Sequence, residues 1–487
     1  MSEQLRILFL SPEVVPYAKT GGLADMAGSL PCALQRQGAE VRLCLPFYRM
    51  VREGNFETRP RLKNLEVPLG KETLTVDVLE TITEENIPVY LIEREDLYDR
   101  PNLYGNASGD YYDGLERFTL YAHASLLMAE ALGFAPDIIH CHDWQTGLVP
   151  ALLKGPYRQS PILQEARTVF TIHNIGYQGL FPVDKFRVTG LPVQFFNPEG
   201  LEFWGKISLL KAGIVYSDAI TTVSPTYAKE IQTPEFGLGM GGILQHRMSF
   251  LHGILNGIDY RYWDPSNDPY LPAHYSAANT RGKQLCKEAL IKEMNLNPSL
   301  KRLPLLGMVT RLDSQKGVDI LIDIVDQILA LDVTLVILGS GNIAYQEALQ
   351  AVAHKHPGYV GLEIGFDDAL AHRIMAGADI FLLPSRYEPC GLTQMYALKY
   401  GTVPVARATG GLEDTIVAFD PQMGTGNGFK FGPYEPEAFL SSVRQAVELF
   451  KDQRHWRKIM ANGMAGDFSW DRSARAYIDL YQSLTKE

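Results

Sequence analysis

The chain has 487 residues, of which 46% are hydrophobic and 21% are charged. This length exceeds what one ordinary hydrophobic core accommodates and predicts two or three domains. Lysine and arginine number 45 against 56 aspartates and glutamates, so the formal net charge is −11 and a nucleic-acid partner is disfavoured.

The cysteines are scattered along the chain without a repeated spacing. They are Cys32, Cys44, Cys141, Cys286 and Cys390. Their odd number argues against a secreted disulfide framework and predicts a reducing compartment, the cytoplasm. The N-terminal region lacks the features of a signal peptide, and no apolar run reaches membrane-spanning length. We therefore expect an unprocessed cytoplasmic protein with no membrane partner.

Short apolar runs alternate with amphipathic helical patterns along the whole chain. The runs predicted to be strands are 7–10, 41–45, 138–140, 169–172, 305–309, 334–338 and 380–383. They are apolar throughout rather than alternating, as expected for parallel strands covered by helices on both faces. This rhythm predicts the α/β class, with a doubly wound sheet in each half.

The rhythm stops over residues 256–302, which carry several turn signals. We therefore place a domain boundary near Asn256, with an N-terminal domain over 1–255 and a C-terminal domain over 256–467. The remaining segment, 468–487, contains a helix predicted over 471–484, whose apolar side must be buried.

The first strand is followed by a loop in which Lys19 precedes the glycine pair Gly21 and Gly22, and a helix begins around Leu23. Glycines let a ligand approach the backbone, and a helix N-terminus attracts anions, so this loop is suited to a phosphate or a sugar. A glycine turn with a solvated lysine explains the same residues, and both interpretations stay open.

Polar residues also follow two later strands, in the run 140–143 and at His173 and Asn174. Because ligands bind beyond the carboxyl ends of parallel strands, we expect Asp143, His173 and Asn174 to hydrogen-bond sugar hydroxyls. A metal site in the run 140–143 is the weaker alternative, since adjacent strand side chains face opposite sides and no second ligand cluster accompanies them. A buried core histidine is the alternative for His173.

In the second half, Arg311 and Lys316 follow the strand predicted to begin at Leu305. Two cations at a strand end can clamp a diphosphate, the guanidinium as a fork and the ammonium as a point charge. They would also stabilise the diphosphate as it departs. A solvent-facing turn is the alternative, and it explains Lys316 more easily than Arg311.

The run 385–394 follows another buried strand and opens a helix. Gly391 exposes backbone N–H groups there, which favours an anion. An anion would repel Glu388, so we expect that carboxylate to face sugar hydroxyls, with a capping or turn role as the alternative. A second glycine pair, Gly410 and Gly411, is expected at the same crevice.

Taken together and in order, these motifs resemble those of the bacterial glycogen synthases and plant starch synthases over essentially the whole chain. The matching segments are Lys-Thr-Gly-Gly-Leu-Ala-Asp at 19–25, the Arg311 and Lys316 pair, and Glu-Pro-Cys-Gly-Leu-Thr at 388–393. The resemblance implies the GT-B fold, in which two Rossmann-like doubly wound domains face a deep cleft and the last helix packs back on the N-terminal domain. It also implies transfer of glucose from ADP-glucose to the non-reducing end of an α-1,4-glucan, with retention of configuration.

The resemblance also implies roles for individual residues. The implied catalytic residues are Glu388, His173, Lys316 and Arg311. The implied donor-binding residues are Lys19, Gly22, Asp25, Asp143, Asn174, Asn256, Gln315, Cys390, Gly391, Leu392 and Thr393. Tyr104 is similar to an acceptor-glucan contact, in a loop whose length varies within the family.

None of the matched residues is clearly placed as a carboxylate nucleophile, so a front-face reaction fits better than double displacement. In that reaction the leaving diphosphate accepts the proton of the glucan 4-hydroxyl, and neither a metal nor an organic cofactor is needed.

The main rival is a related transferase that uses UDP-glucose or makes another glucoside. The hypothesis of a glucan phosphorylase lacks support, because no motif in this sequence resembles that family's pyridoxal phosphate lysine. A catalytically silent glucan-binding protein would not need the intact Glu388, Lys316 and His173.

Overall fold

The computed structural model describes residues 4–106 and 109–486. The chain divides into two compact units. The first runs to Gly257 and includes the final helix from Trp470, and the second comprises Ile258–Ser469.

The main sheet of the first unit has the strand order β14-β13-β9-β8-β1-β2-β5-β4-β3, and short β-pairings lie outside it. The strands are β1 Arg6–Leu10, β2 Glu40–Pro46, β3 Arg59–Leu69, β4 Glu72–Ile82, β5 Pro88–Glu93, β6 Gly105–Asn106, β7 Gly109–Asp110, β8 Ile138–His142, β9 Arg167–Ile172, β10 Leu180–Pro182, β11 Glu202–Phe203, β12 Lys206–Ser208, β13 Ala219–Thr222 and β14 Leu251–Gly253. Within the main sheet β4 runs antiparallel to β3 and β5, and the other neighbours are parallel. The apolar run of β1 is fully buried at the centre.

Helices connect these strands. They are α1 Gly22–Arg36, α2 Arg49–Glu53, α3 Glu95–Tyr98, α4 Gly114–Ala131, α5 Leu148–Lys154, α6 Leu209–Tyr216, α7 Pro225–Glu230 and α8 Gly241–His246. The long helix α4 is buried along most of its length, because apolar residues occur around nearly its whole circumference.

The second unit has one parallel sheet, with the strand order β17-β16-β15-β18-β19-β20. Its strands are β15 Leu305–Leu312, β16 Thr334–Gly341, β17 Val360–Ile364, β18 Ile380–Leu383, β19 Val403–Arg407 and β20 Phe429–Phe431. Its helices are α9 Arg281–Glu293, α10 Val318–Leu329, α11 Ile343–Lys355, α12 Asp368–Gly377, α13 Thr393–Lys399, α14 Gly410–Thr415, α15 Pro436–Lys451 and α16 Gln453–Met464. Leu306, Leu321 and Val405 belong to the hydrophobic core that joins sheet and helices.

The final helix, α17 Trp470–Thr485, belongs to the first unit. Ala474, Tyr477 and Tyr481 are fully buried, and Ile478 is half-buried. The hydroxyl of Tyr481 lies 2.8 Å from Nδ1 of His140 in β8. The amphipathic stripe is therefore buried against the first unit.

Two strands are longer than the sequence indicated. Strand β8 continues to His142, which pairs with Thr171, so His140 and His142 are both buried strand residues. Strand β15 continues to Leu312, so Arg311 lies within the strand and not behind it. Pairing with the neighbouring strand extends both elements beyond their apolar runs. Within the described residues, none of the helices combines the length and apolar character needed to cross a bilayer.

Candidate functional site

The loop after β1 is organised by Glu13, a buried carboxylate that lies outside the motifs recognised in the sequence. Its Oε2 accepts hydrogen bonds from the backbone N–H groups of Thr20 at 2.5 Å and Gly21 at 3.2 Å. Its Oε1 accepts from the hydroxyls of Thr20 and Tyr104, each at 2.6 Å. Four donors satisfy the carboxylate and fix the loop. In the sequence, the position of Glu13 shortly after the apolar strand β1 was the signal that could have identified this role.

Lys19 and Asp25 form an ion pair at the surface of this loop, with Nζ 2.7 Å from Oδ1. The side chains are 43% and 31% exposed. Helix α1 begins at Gly22, and a Cβ placed on the preceding Gly21 would meet no atom within 4 Å. Packing therefore does not require glycine at position 21, and the small residue leaves the loop open to a ligand.

Asp143 joins the end of β8 to the end of β9. Its φ of 56° lies in a region that residues other than glycine seldom adopt. Oδ1 accepts the backbone N–H of His173 at 2.7 Å. Burial raises the pKa of Asp143 to about 7, while backbone hydrogen bonds from His173 and Asn174 act in the opposite direction. The protein already engages this carboxylate, so the expected sugar contact would be additional.

His173 lies beside a second histidine in the same unit. Its Nε2 is 3.1 Å from Nδ1 of His142. Burial lowers the pKa of His173 to about 3 and that of His142 well below its ordinary range, so both rings are neutral near pH 7. The nitrogens of His140 contact Tyr481 and Thr171, as expected for a structural histidine, and its ring packs against that of His142. Among the described residues, no group of three or more potential ligands is placed to hold a metal ion.

Two asparagines complete the polar groups expected in the first unit. Oδ1 of Asn174 accepts the backbone N–H of Gly176 at 2.9 Å. Asn256 is 5% exposed, and its buried Oδ1 has no hydrogen-bond partner within residues 4–106 and 109–486. An unsatisfied buried amide oxygen is a group that a ligand or a water molecule would complete.

A cavity of about 270 Å³ lies beside Tyr104 in the first unit. Its walls include the aromatic residues Phe118, Trp144, Tyr177 and Phe181. Aromatic walls with polar groups at the edge are typical of sites that bind small organic ligands. Among the residues around this cavity, the resemblance had given a role to Tyr104.

In the second unit, Lys316 and Glu388 form an ion pair. Nζ of Lys316 lies 2.6 Å from Oε2 of Glu388, and the side chains are 19% and 9% exposed. The hydroxyl of Ser385 donates to the same Oε2 at 3.0 Å. The carboxylate predicted to face sugar and the ammonium predicted to face phosphate are therefore neighbours.

Arg311 extends outward from β15, with 54% of its side chain exposed. It contacts Asp313 at 3.3 Å and Oε1 of Gln315 at 3.1 Å. Gln315 in turn donates to the backbone carbonyl of Tyr387 at 3.3 Å. The alternative of a solvent-facing turn does not describe Lys316, which is the more buried of the two residues. The ion pair with Glu388 draws Lys316 inward.

Two glycines bring the loops of this unit together. Gly317 has φ 74°, and a Cβ on it would lie 2.0 Å from the carbonyl oxygen of Pro384. Gly410 has φ 45°, and a Cβ on it would lie 1.9 Å from the carbonyl oxygen of Glu388. Glycine is required at both positions by conformation and by space. The glycine of the second pair thus packs against the loop that carries Glu388.

The segment after Glu388 leads directly into α13. Cys390 is buried, and Gly391 has φ 68°. Leu392 precedes the first helical residue, Thr393. The expected anion-binding backbone therefore lies at the start of this short helix.

This chain is similar to known proteins along its whole length. Residues 6–246 match the family model described as "Starch synthase catalytic domain", and residues 292–462 match "Glycosyl transferases group 1". The chain is 49% identical over 481 residues to the glycogen synthase of Anaeromyxobacter sp. (strain Fw109-5), with 99% of each chain covered. It is 48% identical over 482 residues to that of Anaeromyxobacter dehalogenans (strain 2CP-C), with 99% of this chain and 100% of the relative covered. It is also similar to a solved structure, the catalytic domain of starch synthase IV from Arabidopsis thaliana bound to ADP and acarbose. That match has a TM-score of 0.91 and 33% identity, and it covers 100% of both chains.

Proposed function

Because this chain belongs to the glycogen synthase family of hexosyltransferases and has the GT-B fold, we propose that it transfers glucose from ADP-glucose to the non-reducing end of an α-1,4-glucan. The observation that carries the choice of donor is the match, over the full length of both chains, to a starch synthase bound to ADP. The proposed partners are thus a nucleotide sugar and a glucan, without a nucleic acid or a membrane.

The diphosphate of the donor is proposed to contact Lys316, Arg311 and the backbone from Gly391 to Thr393, with Gln315 and Cys390 beside them. A lysine ammonium has three N–H groups, so Lys316 can keep its bond to Glu388 and still donate to phosphate oxygens. Arg311 is half exposed and can turn its planar fork toward the same group. Glu388, held by Lys316 and Ser385, would accept hydrogen bonds from glucose hydroxyls.

On the first unit, we propose that His173, Asp143, Asn174 and Asn256 contact the glucose of the donor. The unpartnered Oδ1 of Asn256 supports this role, because a sugar hydroxyl would satisfy it. Lys19, with Asp25 and Gly22, is proposed to contact the donor from the open glycine loop.

The acceptor glucan is proposed to occupy the cavity beside Tyr104. The hydroxyl of Tyr104 already donates to Glu13, so this residue would contact the glucan through its ring. Trp144 and Tyr177 in the cavity wall supply further aromatic surface on which the apolar face of a sugar ring can pack.

The reaction proposed is a front-face displacement with retention. The bond between the anomeric carbon and the diphosphate breaks, the glucan O4 bonds to that carbon, and the hydroxyl proton moves to the diphosphate. Lys316 and Arg311 stabilise the leaving charge. Two carboxylates of the first unit are poor candidates for a nucleophile: Glu13 accepts four hydrogen bonds, and Asp143 is held by backbone N–H groups.

No metal or organic cofactor is part of this proposal. The cytoplasm is the proposed compartment, because the cysteines, all of which lie in the described ranges 4–106 and 109–486, are buried and form no disulfide.

The test is transfer by the purified protein with glycogen as primer and either ADP-glucose or UDP-glucose, measuring released nucleotide and incorporated glucose. We expect kcat/KM to be at least about tenfold higher with ADP-glucose, a difference of about 1.4 kcal/mol. Lys316→Ala serves as the control for a contaminating transferase. Equal rates, or a preference for UDP-glucose, would assign the chain to the rival transferase.

A further inference from the structure

A second histidine stands directly behind His173. His142 is fully buried in β8, and its Nδ1 lies 3.1 Å from Nε2 of His173. The other nitrogen of His142, Nε2, is also buried and has no partner among the described residues. The ring of Phe9 lies against His142, with the ring centroids 4.3 Å apart and the planes 34° apart. His142 belongs to none of the roles described above.

The contact between the two rings requires one proton and can form in two ways. A neutral imidazole has one N–H donor and one bare nitrogen acceptor. If His142 carries its proton on Nδ1, it donates to Nε2 of His173, and His173 must carry its own proton on Nδ1. If instead His173 donates from Nε2 to Nδ1 of His142, then His142 carries its proton on Nε2. Nδ1 of His173 is then a bare acceptor.

The surroundings of His142 distinguish these two arrangements. The reversed arrangement places an N–H group at the buried Nε2 of His142, which has no hydrogen-bond acceptor among the described residues. The first arrangement leaves only an unused lone pair there. Unpaired buried N–H groups are rarer in proteins than under-used acceptors, which favours donation from His142.

We propose that His142 is a positioning residue that donates from Nδ1 to Nε2 of His173 and so keeps the proton of His173 on Nδ1. This inference rests on the proposed function, in which His173 contacts the donor glucose. Among the described residues, none hydrogen-bonds Nδ1 of His173, so that N–H is available to an oxygen of the sugar.

The arrangement fixes His173 at two points. Asp143 accepts the backbone N–H of His173 at 2.7 Å, and His142 holds the far nitrogen of the ring. The first contact sets the main chain at the end of β9. The second sets both the rotation of the ring and its tautomer, as the partner of one imidazole nitrogen determines the state of the other.

Two substitutions separate this role from simple packing. His142→Phe keeps a ring in the core but removes the donor, whereas His142→Asn packs less well but places an amide N–H near the position of Nδ1. We expect His142→Phe to lower kcat/KM for the donor about tenfold, and His142→Asn to retain more activity than His142→Phe. A packing role predicts the opposite order. His140→Phe is the matched control for packing: His140 is equally buried in the same strand and its ring lies against that of His142, with centroids 4.0 Å apart, but its nitrogens contact Tyr481 and Thr171.

The tautomer itself can be measured in the wild-type protein by NMR with ¹⁵N-labelled histidine, using His173→Gln to assign the signals of His173. The expected result is a proton on Nδ1 of His173, and its redistribution between the two nitrogens in His142→Phe. A proton on Nε2 of His173 in the wild type overturns the proposal, even if the variants fail to fold, and so does full activity in His142→Phe. If His173→Gln is fully active, the proposed role of His173 in catalysis is wrong, whereas the tautomer measurement still decides the direction of the hydrogen bond.

Discussion

Nζ of Lys316 lies 2.6 Å from Oε2 of Glu388, and both side chains are largely buried. The pair joins the loop after β15 to the loop after β18, two neighbouring strands of the second unit. One cation thus neutralises a buried carboxylate and remains able to donate to a ligand.

Replacing Lys316 by Ala should reduce kcat at least about 100-fold, because the charge-assisted donor proposed for the leaving diphosphate is lost. The variant should remain folded, although the uncompensated Glu388 lowers stability. Glucose incorporation and circular dichroism measure the two effects. The matched control is Lys430→Ala, which breaks an ion pair of 2.8 Å with Glu413 in the same unit. Near-normal turnover in a folded Lys316→Ala protein contradicts the assignment.

Glu13→Gln should destabilise the protein by about 1–3 kcal/mol, because an amide has one acceptor oxygen where the carboxylate serves four donors. Urea denaturation measures the change, and activity should fall as the glycine loop loses its support. Glu40→Gln is the control, since its ion pair with Arg42 is partly exposed and should contribute less than about 1 kcal/mol. Equal effects of the two substitutions would show that Glu13 does not organise the loop.

The pKa of about 7 for Asp143 predicts a pH dependence of stability. Between about pH 4, the ordinary value, and about pH 7, the folded protein keeps a proton that the unfolded chain has lost. The contribution of this group to stability therefore falls as pH rises through that window, and it is constant above it. Asp143→Asn removes the titration and keeps an oxygen for the N–H of His173.

We expect the unfolding free energy of Asp143→Asn to rise relative to wild type by up to about 1.4 kcal/mol per pH unit within this window. Urea denaturation at several pH values measures the difference. The low pKa of His173 acts with the opposite sign, but His173 is present in both proteins and cancels. A difference in unfolding free energy between Asp143→Asn and wild type that does not change with pH would contradict the prediction.

Tyr177→Ala should raise KM for a glucan primer about five- to tenfold and leave KM for the nucleotide sugar unchanged, because it removes aromatic surface from the cavity. Initial rates with one substrate varied at a time separate the two constants. Phe366→Ala, which removes an exposed aromatic residue from the second unit, is the control. A change confined to KM for the nucleotide sugar would contradict the proposed contact of Tyr177 with the acceptor glucan.

Apolar runs along the chain predicted the fold class and seven strands of the two large sheets, four in the first unit and three in the second. The apolar run 380–383 is strand β18, and the helix predicted over 471–484 lies within α17. The family could also be predicted, because its motifs are short and contiguous and so survive in one sequence. These features are local, since apolar periodicity along the chain records which side of an element is buried.

Which polar groups meet depends on how the strands and loops are arranged in space. Glu13 and Tyr104 are 91 residues apart in the chain, and His142 and His173 are 31 apart, and no local pattern marks either contact. That arrangement also decides that Arg311 lies outward and Lys316 inward, through an ion pair with Glu388 across 72 residues. Such partners depend on which strands become neighbours, and hydrogen bonds act only over about 3 Å, so composition and spacing along the chain cannot specify them.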